Sequence, residues 1–298
     1  MNFLEDSLLV AAHPDDEILW FGGVVADVGD VVTVFEDFWP DPAIGPARRE
    51  ALEVFPRKIR SLGIAESASY GCADWTAPVP TEHGLALNAK FGGRNMKQRL
   101  MYARGKAPDP IREDGYARTA RQIEQRLRPL LRGKRNVFTH NPWGEYGHED
   151  HVQVFRVLDH LRTEIGFKLW MSNYCTERAL PFACTYFGNA AGQSLRRKPN
   201  LAFIEEAVDA YKRTDCWTWD DDWVWFPEET YVEAPREQKV GRPQDWLMPL
   251  NFFTIDTPKV SVPPRIEDRV GGARGYDLGD TLFPGGSKRP GMETAPQI

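Results

Sequence analysis

The segment Ser7-Leu8-Leu9-Val10-Ala11-Ala12-His13-Pro14-Asp15-Asp16-Glu17 begins as a short apolar run and ends in a cluster of charge. The apolar part has the length and composition of a strand buried on both faces. Beyond Glu17, apolar residues at Ile18, Phe21, Val24 and Val25 recur at helical spacing and predict a helix through about Asp27, weakened by Gly22-Gly23. Val31 to Phe35 then reads as a second buried strand. Strand, loop, helix and strand in that order predict a βαβ unit and a parallel sheet.

The alternation continues along the chain. Pro46 to Leu62 carries a helical pattern interrupted at Pro56 and closed by Gly63, and Ala68 to Ala73 reads as a strand. Arg112 to Arg132 is the longest helical pattern, followed by the compact strand Asn136 to His140. Asp150 to Thr163 and Leu201 to Lys212 complete the helices. From about Thr257 the chain turns rich in Pro and Gly, with apolar residues too sparse for a core. The expected organisation is one α/β domain over 1–256, with a mainly parallel, Rossmann-like sheet flanked by helices, and an irregular extension over 257–298. No GxGxxG follows the first strand, which argues against a nucleotide cofactor.

Composition narrows the function. The chain has 298 residues, 42% of them apolar, which suits a globular core. Lys and Arg number 37 against 43 Asp and Glu, a net charge of −6, so a general nucleic-acid binder is disfavoured. No run reaches the roughly 18 apolar residues of a membrane span, and Glu5 and Asp6 stand where a signal peptide would be basic. Cys72, Cys175, Cys184 and Cys216 form no CxxC pair and read as buried thiols in a reducing, cytoplasmic setting.

The chemistry concentrates in two blocks. His13 and Asp16 follow the first strand, and His148 and His151 follow the strand that ends at His140. In open parallel sheets ligands bind beyond the carboxyl ends of the strands, so both blocks are expected to face one crevice. Imidazole with carboxylate suits a borderline ion such as zinc. A catalytic zinc takes three protein ligands and leaves one position open. His13, Asp16 and one later histidine supply three, which leaves the other histidine and Asp15 for proton handling. The same residue types would suit a non-haem iron oxygenase, but its many short strands are not predicted here.

Ala12-His13-Pro14-Asp15-Asp16-Glu17 paired with Thr139-His140-Asn141-Pro142 and Tyr146-Gly147-His148-Glu149-Asp150-His151-Val152 resembles the zinc-dependent LmbE-like, or PIG-L, N-deacetylase family. The resemblance runs in element order over most of 5–235, including Glu229-Thr230-Tyr231 after the last helix, and departs at Glu149, where the family commonly has Pro and no chemical duty. It implies one zinc held by His13, Asp16 and His151, with Asp15 as general base. It further implies that His148 stabilises the tetrahedral intermediate, with either His148 or Asp15 protonating the leaving amine, that Tyr146 polarises the amide carbonyl, and that Asp150 modulates the neighbouring histidine. Arg49, with Arg48 beside it, matches a substrate-binding arginine, and Asp74 matches an acidic residue that contacts sugar hydroxyls. The implied reaction is hydrolysis of the N-acetyl or other N-acyl amide of an amino sugar or sugar conjugate. An antibiotic-like or thiol-conjugate substrate is an alternative, as is a non-catalytic sugar-binding relative. Four Trp and four Asp within Asp215–Phe226 read either as a sugar-stacking surface or as a folded cap. The loops over 38–48, 74–110 and 215–250 are expected to carry substrate choice, and the oligomeric state is not encoded in these motifs.

Overall fold

Leu8 and Val10 point to one side of the first strand and Leu9 to the other, and both sides are buried. Side chains alternate across a strand, so this run needs a layer on each face. The computed structural model, which describes residues 3–37, 44–66, 69–88, 113–187, 193–234 and 249–255, supplies those layers. The strands are β1 (Ser7–Ala11), β2 (Asp30–Phe35), β3 (Arg60–Ile64), β4 (Pro80–Thr81), β5 (Gly84–Leu85), β6 (Asn136–Thr139), β7 (Lys168–Met171), β8 (Tyr174–Cys175), β9 (Ser194–Arg197), β10 (Glu229–Glu233) and β11 (Asn251–Phe252). The helices are α1 (Asp16–Leu19), α2 (Ile44–Val54), α3 (Glu113–Leu127), α4 (Glu149–Ile165), α5 (Leu180–Phe187) and α6 (Leu201–Arg213).

Seven strands form the main sheet in the order β3-β2-β1-β6-β7-β10-β9. The pairs from β3 to β7 are parallel, and β10 runs antiparallel to both β7 and β9. The chain winds outward from β1 through β2 and β3, then resumes on the other side of β1 with β6 and β7. Between β1 and β6 the order reverses, and the crevice beyond their carboxyl ends is where such sheets bind ligands. Val10 pairs with Thr139, so the two strands end side by side.

Leu8, Val10, Val32 and Val137 pack with Ile123 and Leu127 of α3 and with Leu158 and Leu161 of α4. Leu9, Val31 and Phe138 face the opposite layer, with Trp20, Phe21, Ala51 of α2, and Ile204 and Tyr211 of α6. The parallel sheet flanked by helices agrees with the sequence reading. Three local expectations do not hold. The helix expected to reach Asp27 stops at Leu19, because the Gly22 carbonyl accepts from Asn200 and the Gly23 N–H donates to Glu229 Oε2 at 2.7 Å. The pattern over 46–62 splits into α2 and β3, since Pro56 cannot donate into a helix and Arg60 to Ile64 finds β2 as a partner. Ser69 to Ala73 is irregular, turning at Gly71 (φ 72), and Ala68 lies outside the described residues, as does the extension from 257.

Cys72, Cys175 and Cys216 are buried, but Cys184 is exposed on α5. Among the described residues no helix is long and apolar enough to cross a membrane.

Candidate metal centre

The turn after β1 folds onto its own carboxylate. Asp16 Oδ2 accepts from the His13 backbone N–H at 2.7 Å and Oδ1 accepts from Trp20 Nε1 at 2.7 Å. Asp15 has φ 110, a conformation that costs a non-glycine residue about 1–3 kcal/mol and persists only where its surroundings impose it. It occupies the N-cap position of α1, yet its carboxylate caps nothing. Its Oδ2 instead accepts from Thr218 Oγ1 at 2.8 Å.

His13 Nδ1 lies 3.1 Å, and His151 Nε2 3.3 Å, from Asp16 Oδ2. Two ligand atoms each about 2.0–2.1 Å from a tetrahedral zinc stand about 3.3 Å apart, so this spacing fits a shared ion. Imidazole nitrogens of His13, His148 and His151 also come within 4.8 Å of one another. His13 Nε2 and His151 Nε2 are buried without a hydrogen-bond partner, an arrangement that is costly unless a ligand completes it. Burial would push Asp16 up, but His151 and His140 outweigh it and hold the carboxyl well below its usual range. His13 sits well above the usual imidazole range, the pull of Asp150 and Asp16 exceeding the effect of burial. A buried pocket that draws positive charge in this way, with nitrogen and oxygen donors, fits a divalent cation.

His148 forms the N-cap of α4, its Nδ1 accepting from the Asp150 N–H at 3.2 Å. That nitrogen therefore carries no proton, and the N–H of the neutral ring is at Nε2. Burial, together with the neighbouring imidazoles of His151 and His13, holds His148 well below the usual imidazole range. Asp150 accepts from Ser69 Oγ at 2.6 Å and places Oδ2 3.6 Å from His13 Nε2. Tyr146 is packed among Trp20, Tyr70, His148, His151 and Trp219, and burial pushes its hydroxyl well above the usual phenol range. Burial also raises Asp15 to about 6, with Arg48 pulling the other way.

The structure therefore brings together His13, Asp15, Asp16, Tyr146, His148, Asp150 and His151. It does not bring Arg49 or Asp74 to them. Arg49 faces outward and pairs with Glu36. Its neighbour Arg48 is the buried one, donating to the Asp37 carbonyl at 2.6 Å and lying 3.8 Å from Glu66. Successive residues on a helix point about 100° apart, so only one of the two can face the site. Asp74 accepts from Thr76 Oγ1 and N at 2.6 and 3.0 Å, which folds it into its own turn.

Four carboxyl residues take roles that the motif reading does not assign. Glu145, at φ 51 in the loop after β6, contacts both His140 and His151. Glu66 approaches His13 Nε2 at 3.5 Å. Glu17, which burial pushes up to about 8, accepts from the Asp15 N–H at 3.0 Å and from Tyr211 of α6 at 2.6 Å. Glu149, given no duty from the sequence, accepts from Gly71 N, Ala73 N and Trp75 Nε1 at 2.9, 2.9 and 3.0 Å. It moors the loop that also carries Asp74. The only sequence signal for Glu17, Glu145 and Glu149 was an acidic side chain close to a histidine block, and Glu66 had none.

The Trp/Asp-rich segment forms one wall. Trp219 packs against Trp20 and Tyr146 with ring centroids 5.3 and 5.4 Å apart, and Trp225 Nε1 donates to the Ile18 carbonyl at 2.6 Å.

No protein-family model matches the chain, and no curated protein does. Among solved structures it is similar to a deacetylase in complex with teicoplanin, from teicoplanin biosynthesis, at 15% identity and a TM-score of 0.41 over 76% of this chain and 98% of that one. It is also similar to the deacetylase of the antimicrobial A40926 pseudoaglycone, at 16% identity and a TM-score of 0.41 over 77% and 97%. A third likeness is to the zinc-inhibited form of a teicoplanin deacetylase, at 15% identity and a TM-score of 0.43 over 78% and 100%.

Proposed function

We propose that the chain is a zinc-dependent N-deacetylase that hydrolyses the N-acetyl amide of an amino sugar or sugar conjugate to the free amine and acetate. The observation that carries this reading is Asp16 Oδ2 flanked at 3.1 and 3.3 Å by nitrogens of His13 and His151, with Asp15 adjoining. His13, Asp16 and His151 would hold the ion. When bound, such an ion lowers the pKa of water toward about 7 and polarises a carbonyl.

The remaining steps belong to this chain's own side chains. Asp15 is buried and raised to about 6, so it can take the proton of the attacking water near neutral pH. Thr218 fixes one of its oxygens while this happens. Negative charge then grows on the carbonyl oxygen. The N–H of neutral His148 and the hydroxyl of Tyr146 are the donors at hand, each worth roughly 3–4 kcal/mol when well placed. An amide nitrogen leaves only once protonated, and Asp15 holds the proton it has just received. Asp150 orients His148 through its backbone N–H.

Substrate class is supported by Tyr70, Tyr146 and Trp219 beside the histidines, whose partly exposed rings can stack on a sugar face. Arg48, buried and facing Glu66, replaces the outward-facing Arg49 as the candidate arginine of the site. Free cysteines agree with a cytoplasmic setting. Zinc-loaded protein should release amine and acetate in equal amounts from an N-acetylated sugar panel, and chelator-treated protein should not. Loaded protein inert toward the whole panel, conjugates included, would count against the reading.

A further inference from the structure

Two histidines stack beside Asp16, and they look equally fit to bind an ion. His140 and His151 have ring centroids 3.9 Å apart, and Nε2 of each approaches Asp16 Oδ2, at 3.5 and 3.3 Å. Their environments differ at one point. His140 Nε2 accepts the Ala12 backbone N–H at 2.8 Å, so its lone pair is taken. His151 Nε2 has no hydrogen-bond partner.

Both rings turn their Nδ1 toward the same oxygen. Glu145 Oε2 lies 3.1 Å from His140 Nδ1 and 2.7 Å from His151 Nδ1. The other oxygen, Oε1, accepts from the Asn141 N–H at 3.1 Å and from Ser172 Oγ. A carboxylate only accepts, so all four contacts require the partner to donate. Both imidazoles must then carry a proton on Nδ1. The loop leaves Glu145 little freedom: its N–H donates to Asn141 Oδ1 at 3.0 Å, and its carbonyl accepts from Thr176 at 3.2 Å.

We propose that Glu145 is the positioning residue that makes His151 an Nε2 ligand and His140 a non-ligand. The inference rests on the metal-dependent reading above. With the proton fixed on Nδ1, the His151 Nε2 lone pair faces the Asp16 carboxylate across 3.3 Å. Two lone pairs so placed repel unless a cation stands between them. His140, with both nitrogens used, is the brace that keeps Glu145 in position. Glu145 thus stands behind His151 as carboxylates stand behind ligand histidines elsewhere, fixing tautomer and ring orientation.

Glu145→Gln keeps the size and removes the charge. Its amide nitrogen must meet N–H or O–H donors on one side, or turn toward Oε2 and force the His151 proton onto Nε2. Chelator competition should show zinc affinity about 10–100-fold weaker than in the parent, with unchanged circular dichroism. Affinity within twofold of the parent would overturn the proposal. If the variant does not fold, the ¹⁵N spectrum of the zinc-loaded parent decides. A protonated Nδ1 with a ligated Nε2 on His151 supports it, and ligation through Nδ1 overturns it. His151→Ala separates the two readings: if it binds zinc as tightly as the parent, the metal assignment itself fails, whatever Glu145 does.

Discussion

Asp15 carries the sharpest expectation at the level of single residues. It stands beside Asp16 but in contact with Thr218, so its loss should leave the ligand set intact. Asp15→Asn should retain zinc by elemental analysis and lose about 10²–10⁴-fold in turnover, the usual range for a positioned general base. Activity at the parent level would remove it from that role. The residues that the structure gathers at the centre, His13, Asp16, His148 and His151, were legible as a type and a spacing after two strand-like runs. Glu145 and Glu66 were not. Their importance depends on where a loop carries them, and a lone glutamate in a loop has no periodicity to betray it. Arg48 and Arg49 show the same limit, since adjacent residues of like chemistry are told apart only by which one the helix turns inward.

Among the elements, the strands buried on both faces were the readable ones. β1, β2 and β6 lie inside the sheet, and burial on both sides favours short runs of Val, Leu, Ala and Phe, interrupted by buried polar residues such as Thr33 and Asn136. β3 is an edge strand with a mixed, half-exposed sequence, and its pattern blends into the helix before it. The shortness of α1 has a tertiary cause. A Cβ on Gly23 would sit 2.8 Å from Arg197 Cβ, whereas one on Gly22 would meet the mobile end of Ile204 at 2.8 Å. Gly23→Ala should therefore destabilise the fold by about 1–3 kcal/mol, as overpacking generally does, and Gly22→Ala by less. Denaturant midpoints check both, and equal losses would show that Arg197 yields as readily as Ile204.

Across the whole molecule, the crevice at the β1/β6 reversal collects buried charge. His13, Asp15, Asp16, Glu145, Asp150 and His151 are all buried there. A cation that binds only the folded state stabilises it by about 2.7 kcal/mol at a hundredfold excess over its dissociation constant. The melting temperature should rise by about 5 °C on adding zinc and fall back with chelator. No shift would argue that the carboxylates and histidines satisfy one another without an ion.

Tyr211 reaches inward from the flanking helix α6, its hydroxyl touches Glu17, and Glu17 in turn holds the amide of Asp15. A single carboxyl group thus splices a flanking helix to the backbone of the proposed proton acceptor. Loss of the Tyr211 hydroxyl would release Glu17 from that contact, so a lesion at Tyr211 would masquerade as a chemical defect. A survey that ranked positions by their distance from the imidazoles would overlook it.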